Sequence, residues 1–156
     1  MHLLRDLLIM LTTTLSMEAI SWTLHKYLFH GPLWFIHKTH HNRTVHTKPE
    51  LNDIFSLMFA IVSFYLICFG WFQSFSIHFS IGIGITLYGT LYFIIHDGFI
   101  HQRYSFLKIT LSNNYFKQIQ RAHQYHHTFP NKTPSEEYGL LFIIGKKYWQ
   151  AILSNK

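Results

Sequence analysis

The stretch IFSLMFAIVSFYLICFGWF (residues 54–72), followed after QSFS (residues 73–76) by IHFSIGIGITLYGTLYFII (residues 77–95), decides the fold of this chain. Both apolar runs are nineteen residues long and contain no Asp, Glu, Lys or Arg. Nineteen residues of α-helix extend roughly 29 Å, which is close to the thickness of the hydrocarbon core of a bilayer. The sequence therefore predicts two membrane-spanning helices joined by a short polar turn.

A third apolar run, residues 7–24, precedes these two and carries the single charge of Glu18. It predicts a retained helix over about residues 4–29, because Gly31 and Pro32 follow as a stop signal. We expect an all-α integral membrane protein, a small transmembrane helical bundle. The candidate spans are about 4–29, 54–72 and 77–95, in a single domain of residues 1–156. Residues 140–153 are too short a segment to assign as a span.

The distribution of charge favours a membrane over a nucleic acid as the partner. The net charge is +6, but only 13% of the residues are charged and 49% are hydrophobic. No Lys or Arg occurs between Lys48 and Arg103, so the cations cluster in the segments that flank the spans. This is the positive-inside pattern, and it predicts that the flanking segments face the cytoplasm. The single cysteine, Cys68, excludes an intrachain disulfide and a cysteine-ligated metal cluster.

The segments outside the spans are also predicted from pattern. A short helix is expected at about Trp34–Asn42, and residues 102–122 are amphipathic and basic, which favours a helix lying on the membrane surface. Residues 128–137 contain Pro130 and Pro134 and are expected to form a loop.

Ten of the thirteen histidines form two copies of one pattern. Each copy is a pair spaced by five residues followed by a His-x2-His-His triplet: His25, His30, His37, His40 and His41, then His96, His101, His123, His126 and His127. Imidazole is the commonest protein metal ligand and is costly to bury unpaired. Two crossings of the bilayer return the second copy to the side of the first. The pattern therefore predicts a metal centre to which both halves of the chain contribute.

Helical geometry refines this prediction. Residues i, i+3 and i+4 of an α-helix lie within an arc of about 100°, so each triplet can converge on one point. A spacing of five turns the second residue by roughly 140°, so the two pairs are expected either at helix ends or on two different metals. Ten ligands overfill one site, whereas two six-coordinate metals with five each keep an open position for oxygen. We therefore expect the bundle to carry a histidine-rich dimetal centre on its cytoplasmic side. Imidazole suits iron, zinc, copper and nickel alike, but chemistry on a membrane-dissolved hydrocarbon favours redox-active iron.

Longer strings surround these histidines: MEA (17–19), HKYLFHG (25–31), HKTHH (37–41), ELND (50–53), LYFIIHDGFIHQR (91–103) and RAHQYHH (121–127). On these strings the chain resembles the membrane-bound bacterial β-carotene hydroxylases, within the fatty acid hydroxylase and sterol desaturase superfamily. The resemblance runs from about residue 17 to residue 138. It lapses at TFPNKTP, residues 128–134, a difference expected to affect substrate entry or ring preference more than catalysis.

The resemblance implies a function in some detail. It implies a non-haem di-iron monooxygenase whose ten histidines hold two iron ions, with zinc as a possible occupant of purified material. The expected activity is hydroxylation of carbon 3 of carotenoid β-ionone rings with O2, from β-carotene through cryptoxanthin to zeaxanthin. Electrons would come from ferredoxin or a similar donor. The expected location is the bacterial inner membrane, in contact with membrane lipid and without nucleic acid. The alternative is a lipid or fatty acid hydroxylase or desaturase with the same centre.

Four further polar residues are candidates to support the histidines. Glu18 lies about 20° from the helix face of His25, and is expected either to hold a metal-bound histidine or transfer a proton, or to be a protonated carboxyl bonded to a nearby Ser or Thr. Asp53 and Asp97 are candidate acceptors that would fix histidine tautomers, or interfacial caps, and Asn52 suits either role.

Two other classes of membrane protein also bind metals. A membrane haem protein needs single histidines on facing helices within the spans, and a metal transporter needs polar ligands near the bilayer midplane. The histidine clusters lie outside the apolar runs, which favours neither class. Metal content distinguishes the three: about two non-haem irons per chain, one haem, or neither.

Overall fold

Helices form the regular secondary structure of the computed structural model, which describes residues 2–41, 49–128, 137–143 and 145–154. They run in the order α1 (His2–Thr23), a first π-helical segment (Leu24–Phe29), α2 (Trp34–His41), α3 (Asp53–Phe72), α4 (Ile77–Tyr92), a second π-helical segment (Phe93–Ile100), one 3-10 turn (Ser105–Leu107), α5 (Asn114–His127) and α6 (Lys146–Ser154). The described residues contain no strand, so the predicted all-α class is confirmed.

Three helices are long and apolar enough to cross a membrane. They are Leu3–Phe29, Asp53–Phe72 and Ile77–Ile100, and they match the three predicted spans. The third continues beyond the predicted residue 95 because the second π-helical segment extends α4. Large apolar side chains project outward from these helices, and Phe64, for example, is 69% exposed. Such a surface suits lipid and not water.

Helix α4 lies against both α1 and α3, and glycine allows the close approach. A Cβ atom placed on Gly82 would lie 2.8 Å from Ile67 Cγ1, and one on Gly84 would lie 2.6 Å from Thr13 Cβ. The carbonyls of these two glycines also accept interhelical hydrogen bonds, from Ser63 Oγ at 2.8 Å and from Thr14 Oγ1 at 3.1 Å. Small residues at the contact and hydroxyls bonded across it are the usual means of joining helices in lipid.

The two π-helical segments place the histidine pairs. His30 N–H donates to the carbonyl of His25 at 3.0 Å, and His101 N–H donates to the carbonyl of His96 at 2.9 Å. Both bonds join residues i and i+5, so residues five apart stand one turn apart on the same side. His30 and His101 directly follow their π-helical segments, and the expectation that the pairs lie at helix ends is confirmed.

The predicted surface helix over residues 102–122 is wrong in its first half. Gln102 takes a left-handed conformation with φ of 47°, which ends the preceding helix. The chain then folds back, with Arg103 N–H bonded to the carbonyl of Asp97 at 2.7 Å and Ile109 N–H to the carbonyl of Gly98 at 3.1 Å. A helix resumes only at α5, where the Asn113 side chain caps the N–H of Tyr115 at 2.8 Å.

An apolar core lies at the histidine-bearing end of the spans. It joins the second π-helical segment, α5, the segment 137–143 and α6, through Ile95, Phe99, Ile100, Ile119, Ala122, Leu140, Ile143 and Tyr148. Residues 140–153, which are too short to be assigned as a span from sequence, therefore contribute buried side chains to this core and include most of the short helix α6. Of the loop expected over 128–137, residues 129–136 lie outside the described part of the chain.

Candidate metal centre

Nine of the ten predicted ligands fall into two groups in which one ring nitrogen per residue lies within 4.8 Å of all the others. The first group is His25, His30, His37, His41 and His126, and the second is His40, His96, His101 and His123. Each group draws on both copies of the sequence pattern. Residues far apart in the chain therefore build each group together.

His127, the tenth histidine, lies beside the second group and not within it. Its Nε2 is 3.0 Å from Nε2 of His123, and its ring is 4.8 Å from that of His101 between centroids. The same ring stacks on His41 of the first group at 4.5 Å. His127 thus marks the boundary where the two groups meet.

The expectation that each triplet converges on one point is wrong. His37 and His41 enter the first group while His40 enters the second, and His126 enters the first while His123 enters the second. An arc of about 100° is wide enough for α2 and α5 to present histidines to both groups when the groups adjoin. The pairs behave in the opposite way, because each π-helical turn keeps both of its histidines in one group.

Burial lowers the pKa of four of these imidazoles, which favours their neutral form. Desolvation, opposed in part by the hydrogen bond to Asn52, lowers the pKa of His37 to about 4. Desolvation and neighbouring imidazoles hold the pKa of His40, His123 and His126 well below the usual value of 6.5. A neutral imidazole keeps one nitrogen lone pair available to a metal.

The hydrogen-bond acceptors of the first group assign its tautomers. His25 Nδ1 lies 2.9 Å from the carbonyl oxygen of Tyr138, and His37 Nδ1 lies 2.7 Å from Oδ1 of Asn52. Both oxygens only accept, so each Nδ1 carries the proton and each Nε2 carries a lone pair. Asn52 therefore accepts the Nδ1 proton of His37, which is one of the two roles expected of it.

The facing Nε2 atoms of His25 and His37 are only 3.0 Å apart, although neither carries a proton to share. Two ligand nitrogens about 2.1 Å from one ion and at a right angle to each other lie about 3 Å apart. The first group therefore has the spacing and the lone pairs that a cation requires, and its donor set fits an imidazole-binding metal such as iron or zinc.

Carboxylates hold the second group. His96 Nδ1 donates to Asp97 Oδ1 at 2.8 Å, as expected of Asp97, and His40 Nδ1 donates to Glu50 Oε1 at 3.2 Å. The buried Nε2 of His40 has no hydrogen-bond partner among the described residues, as expected of an atom that a metal would satisfy. Sequence reasoning missed Glu50, although it lies in the ELND string.

Asp53 contacts Arg103, which was also missed as a functional residue. The buried Arg103 guanidinium donates two bonds to the Asp53 carboxylate, at 2.6 and 2.5 Å. It also lies 3.6 Å from carboxylate oxygens of both Glu50 and Asp97. Burial acts to lower the pKa of Arg103, but the bonds and charge of Asp53 outweigh it, so the pKa is raised and the cation is secure. Asp53 is thus linked to the histidines through Arg103. The positive charge of Arg103 balances the negative charges of Glu50 and Asp97, which accept the Nδ1 protons of His40 and His96.

Glu18 has different partners from those expected. Its Oε1 accepts the backbone N–H groups of Leu140, Leu141 and Phe142, and its Oε2 accepts the hydroxyl of Tyr88. None of these partners is a histidine, a serine or a threonine. The spacing between Glu18 and His25 along one helix could not reveal contacts with residues more than 120 positions away.

A cavity of about 820 Å³ connects the histidines to the membrane-spanning helices. Its lining includes residues of α1, α3 and α4, with apolar side chains such as Phe59, Ala60 and Ile67. At one end it reaches five histidines of the two groups, His25, His37, His40, His96 and His123. The arrangement can bring an apolar molecule from the bilayer to the imidazoles.

Comparison with known proteins agrees with this geometry. The fatty acid hydroxylase family matches residues 10–149. A protein of Pantoea ananas named β-carotene hydroxylase is 36% identical over 149 residues, covering 96% of this chain and 83% of its own length. A protein of the same name from Paracoccus sp. (strain N81106 / MBIC 01143) is 34% identical over 138 residues, covering 88% of this chain and 83% of its own length.

More distant relatives include the chloroplastic β-carotene 3-hydroxylase 1 of Arabidopsis thaliana, which is 32% identical over 149 residues, or 90% of this chain and 44% of the plant protein. No solved structure matches the chain. The family match and the bacterial relatives each cover most of the sequence. This chain therefore belongs to the fatty acid hydroxylase family.

Proposed function

We propose that this protein is an O2-dependent carotenoid hydroxylase that adds a hydroxyl group to carbon 3 of β-ionone rings, taking β-carotene through cryptoxanthin to zeaxanthin. The observation that carries the proposal is the pairing of two adjoining histidine groups with an apolar cavity between membrane-spanning helices. The names of the bacterial and plant relatives support carotenoid as the substrate class.

The ten histidines are proposed to hold two non-haem iron ions. Five imidazoles would hold each ion, with His127 as the fifth of the second set. When bound, iron would supply the redox chemistry that lets dioxygen place one of its atoms in an unactivated C–H bond. The oxygens that accept the Nδ1 protons of four histidines direct each Nε2 toward the position that a metal would take; they belong to Tyr138, Asn52, Glu50 and Asp97.

The cavity binds and orients the substrate. An apolar lining can accept the ring and polyene from the lipid because one apolar environment replaces another. The shape of the cavity then fixes which carbon lies nearest the histidines. The same walls exclude water from the centre, which suppresses competing reactions of a strong oxidant. Each hydroxylation consumes one O2, two electrons and two protons and releases one water.

The electrons come from a separate carrier, proposed to be ferredoxin or a similar acidic protein. Exposed cations lie on the histidine-bearing side of the spans: Lys38, Lys117, Arg121, Lys146 and Lys147. A basic surface steers an acidic protein and raises its association rate. By the same distribution of charge, this side is proposed to face the cytoplasm of a bacterial inner membrane.

One experiment tests the substrate. Expression in bacteria that accumulate β-carotene is expected to yield zeaxanthin with cryptoxanthin as the intermediate, measured by chromatography of extracted pigment. His40→Ala is the control, because it removes a second-group ligand and should leave β-carotene unchanged. Since the family takes its name from fatty acid hydroxylases, hydroxylation of lipid is the second candidate. Unchanged pigment with altered membrane lipids would establish that candidate instead.

A further inference from the structure

The segment 137–143, called the strap here, lies over the first histidine group and is held at several points. The carbonyl of Leu141 accepts a hydrogen bond from the Tyr115 hydroxyl, and the carbonyl of Ile143 accepts one from Trp149 Nε1 at 2.7 Å. Glu137, at the start of the strap, accepts the N–H of Gly145 at 2.7 Å. The donors lie on α5, on α6 and at Gly145 just before α6, all on the histidine side of the spans.

One further anchor comes from within a span. Glu18 Oε1 accepts three successive backbone N–H groups, those of Leu140 at 2.8 Å, Leu141 at 2.7 Å and Phe142 at 3.1 Å. Glu18 Oε2 accepts the hydroxyl of Tyr88 at 2.8 Å. All four groups donate, so the carboxylate meets donors at both oxygens and needs no proton of its own. Glu18 is 4% exposed, and a buried carboxylate persists only with such compensation.

The strap connects this anchor to the first histidine group through Tyr138. The carbonyl of Tyr138 accepts the Nδ1 proton of His25 at 2.9 Å. The ring of Tyr138 lies 5.3 Å from His25, 5.2 Å from His30 and 5.2 Å from His126, between centroids. Tyr138 is 3% exposed, so it covers this group closely. Only Gly139 separates it from the amides that Glu18 binds.

We propose that Glu18 is a positioning residue for the first histidine group. Its carboxylate fixes the strap, the strap fixes the carbonyl of Tyr138, and that carbonyl holds His25 in the Nδ1–H tautomer with Nε2 directed into the group. The inference rests on the proposed function in taking this group as a metal site. The proposal thereby assigns Glu18, an ionisable residue within a span, to binding backbone N–H groups and not to proton transfer.

The anchor is tested first in metal-free protein in detergent, by hydrogen exchange of peptides that cover the strap. Glu18→Leu removes the acceptor, and exchange of the strap amides should become at least about tenfold faster. Glu18→Gln keeps one oxygen for the three N–H groups and can donate its amide to Tyr88, so exchange should stay within about threefold of the wild type. Asp6→Leu and Asp6→Asn are the matched controls, because they alter an acid on α1 far from the strap.

The positioning role is tested by Mössbauer spectroscopy of the same proteins loaded anaerobically with ferrous iron. In Glu18→Leu, the signal of one of the two iron environments should change while the other stays as in the wild type, and Glu18→Gln should restore the wild-type spectrum. A general loss of packing would move both signals. If Glu18→Leu fails to fold, Gly139→Ala displaces the strap from Glu18 instead, because its Cβ would lie 2.5 Å from the carbonyl oxygen of Phe142 and 3.1 Å from Glu18 Oε1, and the same single iron signal should change.

Each outcome decides a separate point. Unchanged strap exchange in Glu18→Leu overturns the anchor. Faster exchange with both iron signals unchanged overturns the positioning role. A wild-type protein that takes up no iron would refute both the proposed function and the positioning role. In that case, faster exchange of the strap in Glu18→Leu would still support the anchor.

Discussion

Single residues decide which nitrogen of each histidine faces the interior of the centre. His25 and His37 donate to neutral oxygens, whereas His40 and His96 donate to carboxylates. In these four contacts, only the histidines of the second group face negatively charged acceptors. The Arg103 cation lies 3.6 Å from both of those carboxylates and partly balances their charge. A carboxylate acceptor makes an imidazole a stronger donor to a metal than an amide or carbonyl acceptor does.

Asn52 offers a direct test at this scale. Asn52→Leu removes the acceptor of the His37 proton and is expected to weaken metal binding by roughly 10- to 100-fold, the usual cost of losing such a partner. Asn52→Asp keeps an oxygen at the same place and is expected to retain most of the affinity. Competition with a chelator measures both variants. Wild-type affinity in Asn52→Leu would show that the bond of 2.7 Å does not orient His37.

The residue scale is also where sequence reasoning was most uneven. The ten histidines were found because their spacing repeats, Asp97 because it directly follows His96, and Asn52 because it lies in the ELND string. Glu50 and Arg103 were present in the same strings but were not recognised, since their partners lie across the fold and not along one helix. The strap contacts of Glu18 depend on a long-range chain reversal that no local pattern encodes.

At the scale of elements, the histidine pairs required a structure that α-helical geometry does not provide. A spacing of five departs from the α-helical repeat, and both spans change to π-helical hydrogen bonding at this spacing. The three spans were predictable because apolar length is a strong signal in a membrane protein. The break between residues 102 and 113 was not, because an amphipathic pattern does not reveal the left-handed turn at Gln102.

The contact between α3 and α4 can be tested at a glycine. In Gly82→Ala, the new Cβ would lie 2.8 Å from Ile67 Cγ1 and 2.9 Å from Ile67 N, so the helices must move apart. The expected loss is about 1–3 kcal/mol of stability, as for other overpacked contacts. Thermal unfolding in detergent measures it. Gly89→Ala is the matched control, since its new Cβ would meet no atom of the described residues within 4 Å beyond its own helix backbone, and an equal loss in both variants would refute the explanation.

The whole molecule combines a lipid-facing bundle with a cavity that ends at the histidines, and the cavity gives a second prediction. Ala60→Phe places a ring in the lining and is expected to reduce carotenoid conversion by roughly 5- to 150-fold, for a clash of about 1–3 kcal/mol. Metal content should remain unchanged. The control is Val62→Phe, which adds the same ring to α3 at an exposed position outside the cavity lining. Equal conversion by the two variants would argue against this cavity as the substrate site.

Orientation in the membrane is a separate prediction for the whole molecule. In a Cys68→Ser background, a single cysteine at Gln73 should react with an impermeant thiol reagent from the periplasm. One at Lys117 should react only after the inner membrane is opened, because the basic segments are expected on the cytoplasmic side. Labelling of intact cells in the reverse pattern would show that the histidines face outward.

The central claim is that both halves of the chain build one dinuclear centre in which the triplets are shared. Mössbauer spectroscopy of protein loaded anaerobically with ferrous iron tests it, with the variants His25→Ala and His126→Ala compared to the wild type. The account predicts two iron environments in the wild type, and it predicts that both variants change the signal of the same environment, because His25 and His126 come from different copies of the pattern but lie in one group. Changes in different environments would contradict it, since each copy of the pattern would then hold its own ion.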